Sequence, residues 1–169
     1  MEAYEAILTR RSIRLYEPGE VSDEMVRKLL AAAMSAPSAG NQQPWEFIVI
    51  RERENMLAIR EAHPHAPMLD KAALAIAVCG NKRREKYKNY WVLDCSAATQ
   101  NILLAAHALG LGAVWLGVYP NEERLGPITR LLGLPEGVVP LSIVAVGHPG
   151  EEKPRADRFD EGRIHAERW

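Results

Sequence analysis

Arg10-Arg-Ser-Ile-Arg-Leu-Tyr16 and Ala36-Pro-Ser-Ala-Gly-Asn-Gln-Gln-Pro-Trp45 are the two motifs around which the chain is organised. In an extended segment successive side chains point to opposite sides, which places Arg10, Ser12 and Arg14 on one side and Arg11 and Ile13 on the other. Guanidinium donors with a hydroxyl between them suit phosphate oxygens, which accept paired hydrogen bonds from arginine. The first motif therefore indicates an anion site, and the alternative is a solvated basic segment after a helix.

The second motif contains a polar turn between a predicted helix and a predicted strand. Residues 38–44 offer backbone N–H groups, a glycine that can take positive φ, and three amide side chains that both donate and accept hydrogen bonds. Amide edges of this kind suit a heterocycle that presents alternating donors and acceptors. A plain helix-to-strand connection would explain the glycine and the proline but not this density of amides. Each motif thus suits a different part of one flat, anionic ligand.

Length and charge limit the classes of protein to which the chain can belong. With 169 residues, of which 47% are hydrophobic, the sequence predicts one domain, residues 1–169, with a substantial core. A net charge of -1 provides no global field for nucleic acid or for an anionic membrane, so any anion site must be local. The first residues lack the apolar run of a signal peptide, and no run approaches the length of a membrane span. We expect a cytoplasmic protein with neither nucleic acid nor membrane as partner.

Hydrophobic periodicity predicts helices and strands that alternate loosely along the chain. Ser22 is the predicted N-cap of a helix that Pro37 ends, and Asp94 is the predicted cap of a mostly apolar helix that Gly110 ends. Because small and apolar residues cover most of the second helix, it must be buried in the core or against another subunit. The other predicted helices are 1–8, 51–62 and 120–133. The predicted strands are 45–50, 72–80, 113–119 and 138–146. The first two of these strands are predicted to be buried on both faces.

Cysteine, histidine and lysine clusters give weaker signals. Cys79 and Cys95 lie in apolar and Ala-rich runs without metal-ligand spacing, which predicts reduced, buried thiols. His63-Pro64-His65 has no third ligand at usable spacing, so a solvated turn is favoured over a metal site. The basic run Lys82–Lys88, with Tyr87 and Tyr90 interleaved, raises nucleic-acid binding as a possibility. A solvated helix or a mobile cap agrees better with the near-zero net charge.

Five stretches in order resemble the nitroreductase family of FMN-dependent oxidoreductases, in a short version. They are RRSIRLY (10–16), APSAGNQQPWEFIV (36–49), DCSAATQNILLAAHALGLG (94–112), AVWLGVYP (113–120) and GHPGEEKPR (147–155). The resemblance covers nearly the whole chain. It implies an α+β fold, with a mixed, largely antiparallel sheet of four to five strands flanked by helices. It also implies an intertwined homodimer with two FMN sites at the subunit interface.

The same resemblance implies which residues bind FMN. The arginine and serine motif would hold the phosphate and the adjoining edge of the flavin, and the Pro-Ser-x-x-Asn turn would reach the flavin from the other subunit. The glycine-bearing strand would pass along the ring, and a basic residue after the last strand would return to the phosphate. In that order, the implied residues are Arg10, Arg11, Ser12 and Arg14; Pro37, Ser38, Ala39, Asn41 and Gln43; Trp115, Leu116 and Gly117; and Lys153 or Arg155.

The chemistry that the resemblance implies is ping-pong hydride transfer through flavin N5, from NADH or NADPH to a nitroaromatic, quinone or similar small-molecule acceptor. Arg14 would act as an electrostatic stabiliser, with no acid–base residue and no metal assigned. Two alternatives share every cofactor residue: a flavin-binding protein without turnover, and a specialised branch that dehydrogenates, dehalogenates or breaks down flavin. Larger members carry a lid over the flavin, for which this chain offers only residues 82–91.

Overall fold

The structure, a computed structural model, describes residues 1–169 and contains five α-helices and five β-strands. The helices are α1 (Ala3–Thr9), α2 (Asp23–Met34), α3 (Arg53–Ala62), α4 (Trp91–Ala108) and α5 (Glu122–Leu131). The strands are β1 (Tyr16–Glu17), β2 (Trp45–Ile50), β3 (Leu74–Asn81), β4 (Gly112–Gly117) and β5 (Val138–Pro149). None of the helices combines the length and the apolarity that crossing a membrane requires.

The sheet is organised around β5, which pairs with three other strands. β3 lies along one edge of β5, and β2 lies beyond β3 at the border of the sheet. The other edge of β5 is shared in succession by β4, opposite residues 142–147, and by β1, opposite residues 148–149. All four pairings are antiparallel. The predicted α+β class with a largely antiparallel sheet is therefore confirmed, and within one chain the sheet has no parallel pair.

Two hydrophobic clusters cover the opposite faces of this sheet. Along β3 the residues alternate between them, with Leu74, Ile76 and Val78 in one cluster and Ala75, Ala77 and Cys79 in the other. Helices α2 and α4 pack on the first face, while α3 and α5 pack on the second. Because both faces are covered, β3 is almost fully apolar and buried, as its sequence predicts.

The strand β2 differs from this expectation because it lies at the border of the sheet. Phe47 and Ile48 are half-buried and Val49 is exposed, so the prediction that both faces are covered is wrong for β2 within one chain. The two-residue strand β1 has no pattern that periodicity could detect. Gly117 is the last residue of β4 and not an interior one, and β5 extends three residues beyond its predicted end at Val146.

Helix α4 begins earlier than predicted, at Trp91. Asp94 therefore lies in the first turn of the helix, where it is only 4% exposed, and it does not cap the helix. The cap of α2 is as predicted, since the Ser22 hydroxyl accepts a hydrogen bond from the Met25 N–H at 3.3 Å. Burying the Asp94 carboxylate is unfavourable unless hydrogen bonds compensate, and its partners lie in the second motif.

Candidate functional site

The arginine segment, residues 10–14, is held between the sheet and the C-terminal stretch of the chain. The Ile13 N–H donates to the Ala113 carbonyl oxygen at 3.1 Å, and the Lys153 ammonium donates to the Ser12 carbonyl oxygen at 2.7 Å. Its side chains diverge as predicted for extended backbone. Arg11 and Ile13 line one cavity of about 400 Å³, whereas Arg10 lines another of about 660 Å³.

The Arg10 cavity, of about 660 Å³, brings together the guanidinium groups of Arg10, Arg155 and Arg158. Asp157 is the one acidic residue of its lining, and none of the three arginines forms an ion pair. The pKa of Arg10 is lowered, chiefly by burial and then by the positive charges of Arg158 and Arg11. In addition to the larger effect of burial, the two neighbouring guanidinium groups repel the charge on Arg10. An anion in this cavity would relieve that repulsion.

Arg158 is absent from the sequence-based set of site residues. The tail after residue 147 contains several basic residues at irregular spacing, and nothing in that pattern distinguishes Arg158 from the others. Its role becomes visible only because the tail folds back and places Arg158 in the same cavity as Arg10.

Lys153 is occupied by contacts within the chain. Besides its bond to the Ser12 carbonyl, it forms an ion pair of 3.1 Å with Glu151. The Glu151 carboxylate in turn accepts from the N–H groups of Arg14 at 2.6 Å and Leu15 at 3.2 Å. The pKa of Glu151 is lowered chiefly by the hydrogen bond from the Arg14 N–H. Lys153 therefore braces the arginine segment, while the Arg155 guanidinium has no side-chain partner of its own.

The Arg11 guanidinium also binds the chain itself, since its Nη1 donates to the Pro154 carbonyl oxygen. Of the predicted basic residues, Arg11 and Lys153 thus fasten the C-terminal stretch, whereas Arg10 and Arg155 face a common cavity.

The Arg14 cavity, of about 490 Å³, joins Arg14 to the end of strand β4. All three residues predicted on this strand, Trp115, Leu116 and Gly117, line it together with Arg124, and no carboxylate does. Two cations beside an aromatic ring and a glycine form a surface that favours a flat ligand with negative charge. The structure therefore brings the third predicted group of residues to Arg14.

His63, also in the lining of the Arg14 cavity, is only 1% exposed, so the prediction of a solvated turn is wrong for this residue, although His65 is exposed. The His65 N–H donates to His63 Nδ1 at 3.2 Å, so the ring proton is on Nε2, which donates to the Gly117 carbonyl oxygen at 2.9 Å. The Arg124 guanidinium donates to the same oxygen at 2.9 Å. Burial is the main cause that lowers the pKa of His63.

The amide turn, residues 38–44, has an unusual backbone. Gly40, Asn41 and Gln43 have φ angles of +52°, +54° and +48°, in the left-handed region that glycine and asparagine tolerate best. The Gln43 N–H donates to the Ser38 hydroxyl oxygen at 3.0 Å, and the Gln43 amide donates to Asn41 Oδ1 at 2.7 Å. Pro37 is exposed immediately before the turn. Asn41 and Gln43 are exposed, whereas the N–H groups of residues 41–43 are bonded within the turn. Of the predicted donors and acceptors, the two exposed amide side chains remain open to a ligand.

The buried carboxylate of Asp94 holds this turn in place. One oxygen accepts from the Ala39 N–H at 2.9 Å, and the other accepts from the Gln42 amide at 2.6 Å. Gln42 is 6% exposed, so it supports the turn from inside. Asp94 is predicted as a helix cap and Gln42 as one of three amides open to a ligand. Both predictions are wrong, because the bond between the two side chains spans 52 residues of the chain.

The turn does not meet the arginine segment within one chain. No residue of 37–44 lines the Arg10 cavity or the Arg14 cavity. The structure therefore brings Arg14 and the β4 residues to one cavity and Arg10 and Arg155 to another, and it keeps the turn apart from both. This separation is compatible with the implied arrangement, in which the turn reaches the flavin of another subunit.

Neither cysteine contributes to these cavities. Both thiols are free and buried, as predicted. Burial raises the pKa of Cys79 to about 12 and raises that of Cys95 further still, which removes the thiolate that nucleophilic chemistry would need.

Fold and site together define a class: an α+β protein with a five-stranded antiparallel sheet and two cationic cavities, one at Arg10 and one at Arg14, for a flat, anionic ligand. Comparison with known proteins makes the family explicit. The nitroreductase family model matches residues 7–66 and 59–148, so the chain belongs to the nitroreductase family, and the resemblance of its motifs is confirmed.

Individual relatives span nearly the whole chain. The "Putative NADH dehydrogenase/NAD(P)H nitroreductase" of Methanothermobacter thermautotrophicus is 52% identical over 169 residues, 100% of this chain and 88% of that protein. An NADH dehydrogenase of Thermus thermophilus is 30% identical over 199 residues, covering 97% and 95% of the two chains. The solved structure of an FMN-dependent nitroreductase from Clostridium difficile superposes with a TM-score of 0.91 at 30% identity, covering 98% and 99%.

Proposed function

We propose that this protein is an FMN-dependent oxidoreductase that transfers reducing equivalents from NADH or NADPH to a small nitroaromatic, quinone or similar acceptor. The observation that carries the proposal is the group of three arginines, Arg10, Arg155 and Arg158, which share a cavity without an ion-pair partner. Family membership and relatives named for NADH, NAD(P)H and FMN support the same conclusion.

The residues present fit the phosphate of FMN. A phosphate dianion requires two or three basic partners, and these arginines supply charge that the chain does not neutralise. Arg155, rather than the occupied Lys153, is the basic residue of the tail that we assign to the phosphate. The bond from Lys153 to the Ser12 carbonyl oxygen fixes the arginine segment between Arg10, which lines the first cavity, and Arg14, which lines the second.

The Arg14 cavity fits the flavin ring. Trp115, Leu116 and Gly117 contribute an aromatic ring, an apolar side chain and open backbone to its lining, and Arg14 contributes a positive charge. FMN supplies the chemistry when it is bound, by accepting hydride from NADH or NADPH and passing electrons to the acceptor. The contribution of the chain is electrostatic, since Arg14 and Arg124 stabilise negative charge on the ligand. The buried thiols take no part, and we assign no acid–base residue.

We further propose that the amide turn, with Pro37, Ser38, Ala39, Asn41 and Gln43, completes the site of a second copy of the chain in a homodimer. The turn lies outside both cavities of its own chain. Large apolar side chains stand exposed in several regions of the single chain, as a buried interface would require. They include Tyr4, Ile7, Leu93, Phe159, Ile164 and Trp169.

The visible spectrum of the purified protein tests the proposal. We expect yellow protein that releases FMN on denaturation and whose flavin absorbance NADH or NADPH bleaches within seconds in the absence of oxygen. Flavin that stays oxidised with both nucleotides would favour a binding protein without turnover. Colourless protein that does not take up added FMN would overturn the assignment.

Arg14→Ala tests the ring cavity. We expect weaker FMN binding and slower flavin reduction, because the variant removes one of the two cations that stabilise negative charge there. The exposed Lys28 on α2 provides a matched control, and Lys28→Ala should leave both quantities unchanged. Wild-type retention and reduction rate in Arg14→Ala would contradict the role of Arg14.

A further inference from the structure

The basic segment, residues 82–90, carries five cations within seven residues, and neither the fold nor the proposed FMN site uses them. Lys82, Arg83, Arg84, Lys86 and Lys88 are all exposed, and only Arg84 forms an ion pair, with Glu46 at 3.1 Å. The single acid of the segment, Glu85, turns toward the start of α4, where it accepts from the Trp91 N–H at 3.2 Å. In a chain with net charge -1, this is a local concentration of positive charge in which four of the five cations have no ion-pair partner.

The basic segment is hydrogen-bonded to the amide turn, and the predicted helix at this position is wrong. Apart from a 3₁₀ turn at Lys82–Arg84 it is irregular. The Gln42 side-chain oxygen accepts from the N–H groups of Lys86 at 2.8 Å and Tyr87 at 3.0 Å. The Tyr87 ring lies directly against Gly40, where any Cβ would collide with it. The cations therefore stand beside the turn that we assign to the flavin of the other subunit.

Two aromatic rings accompany the cations. Tyr87 and Tyr90 are 53% and 49% exposed, and their rings form an edge-to-face pair with centroids 6.4 Å apart. An exposed aromatic face among lysines suits a purine ring that carries phosphates, since the ring stacks while the lysines bind the anions.

We propose that the basic segment is the docking site for the adenosine and phosphate end of the reductant, and that it makes the enzyme prefer NADPH to NADH. This inference rests on the proposed function, because the reductant is part of it. NADPH differs from NADH by a 2′-phosphate, and an additional dianion gains most from lysines that have no acidic partners. A nucleic acid would require a wider basic surface than one segment of a chain with net charge -1.

The decisive variant is Lys86→Gln/Lys88→Gln, with Arg27→Gln/Lys28→Gln on α2 as a control with the same change in charge. With a saturating acceptor, we expect the KM for NADPH to rise about tenfold and the KM for NADH about twofold. Both changes are modest because a contact between one exposed lysine and a phosphate contributes little by itself. FMN content and kcat should not change. The KM for NADPH should also depend less steeply on salt in the variant than in the wild type.

A binding measurement separates this inference from the proposed function. Adenosine 2′,5′-bisphosphate, followed by calorimetry on the protein as purified, should bind the wild type and the α2 control, and its affinity should fall about tenfold in Lys86→Gln/Lys88→Gln. This result does not require turnover. Failure of both nucleotides to reduce the wild-type flavin would refute the proposed function alone.

Three results would overturn the inference. The first is an unchanged ratio of the KM values for NADPH and NADH in the lysine variant. The second is an equal change in the α2 control. The third is a variant that loses affinity for a single-stranded oligonucleotide while its affinity for adenosine 2′,5′-bisphosphate stays at the wild-type level, which would identify the segment as a nucleic-acid surface.

Discussion

The arginine segment and the amide turn stabilise their conformations in opposite ways. The arginine segment is held through its backbone, by bonds from Lys153 and to Glu151 and Ala113, and its Arg10 and Arg14 side chains remain without an acidic partner. The turn is held from inside by the buried Asp94, whose two oxygens are both bonded, and it presents amides without net charge. The arginine segment therefore provides positive charge for a ligand, and the amide turn provides a backbone conformation that is already fixed.

This difference explains how two short motifs serve one ligand. Cations without an acidic partner lower the stability of the free protein because they repel one another. Binding of an anion removes this repulsion and stabilises the folded protein. A turn whose polar groups are already satisfied loses little conformational freedom on binding. We therefore expect variants of the turn to affect folding most, and variants of the arginines to affect ligand affinity most.

The largest effect on folding is expected for Asp94→Asn. The amide nitrogen that replaces one oxygen would face either the Ala39 N–H or the Gln42 amide, leaving two donors opposed in a buried site. We expect the free energy of unfolding, measured with urea on FMN-free protein, to fall by about 2–3 kcal/mol.

Asp23→Asn is the matched control for Asp94→Asn. Asp23 is fully exposed and pairs with Arg51 at 2.8 Å, so its replacement should cost about 1 kcal/mol at most. An effect of Asp94→Asn as small as that of Asp23→Asn would show that the carboxylate is not what holds the turn.

Arg10→Ala tests the other side of the comparison. Loss of a charge-assisted contact should weaken FMN binding by about 1.5–3 kcal/mol, or about 10- to 150-fold, while riboflavin, which lacks the phosphate, should bind as it does to the wild type. The FMN-free variant should be no less stable than the wild type, because repulsion from Arg158 and Arg11 is removed. Equal loss of FMN and riboflavin would place Arg10 away from the phosphate.

The smallest effect concerns pH and the end of strand β4. Burial lowers the pKa of His63 below its ordinary value of 6.5, so the unfolded chain binds a proton at a pH where the folded chain does not. Stability should therefore be unaffected above pH 6.5 and fall as the pH drops below it, by at most about 1.4 kcal/mol per pH unit for this residue. His63→Gln should flatten this part of the stability curve measured by thermal unfolding.

His107, whose pKa burial also lowers, accounts for a residual slope in His63→Gln. An unchanged slope in His63→Gln would mean that His63 does not titrate with folding.

Local pattern in the sequence predicted most of the helices and strands, because periodicity and caps depend on residues close in the chain. It placed β3 in the core, Ser22 at a helix start, and Arg10 and Arg11 on opposite sides of their segment. It could not reveal contacts that only folding creates. Asp94 meets the turn across 52 residues, and His63 meets Gly117 across 54.

The errors have the same origin. The apolar sequence of β2 resembles that of a central strand, yet its position at the border of the sheet depends on the order in which other strands pair. The predicted helix at 82–88 rests on local composition alone, whereas the irregular backbone there bonds to Gln42 and packs against Gly40, both far away in sequence.

The central claim is that each FMN site is formed by the arginines of one chain and the turn of another. The most direct test is to mix two variants that bind FMN poorly and to measure the flavin content of the mixed dimer. Arg10→Ala/Arg155→Ala and Ser38→Ala/Asn41→Ala should each bind little FMN alone. In a mixed dimer one site would carry both defects and the other none, so unfolding and refolding the variants together should restore half-occupancy in the mixed species. If mixed dimers form and bind no more FMN than the separate variants, each site is built from a single chain and the account is contradicted.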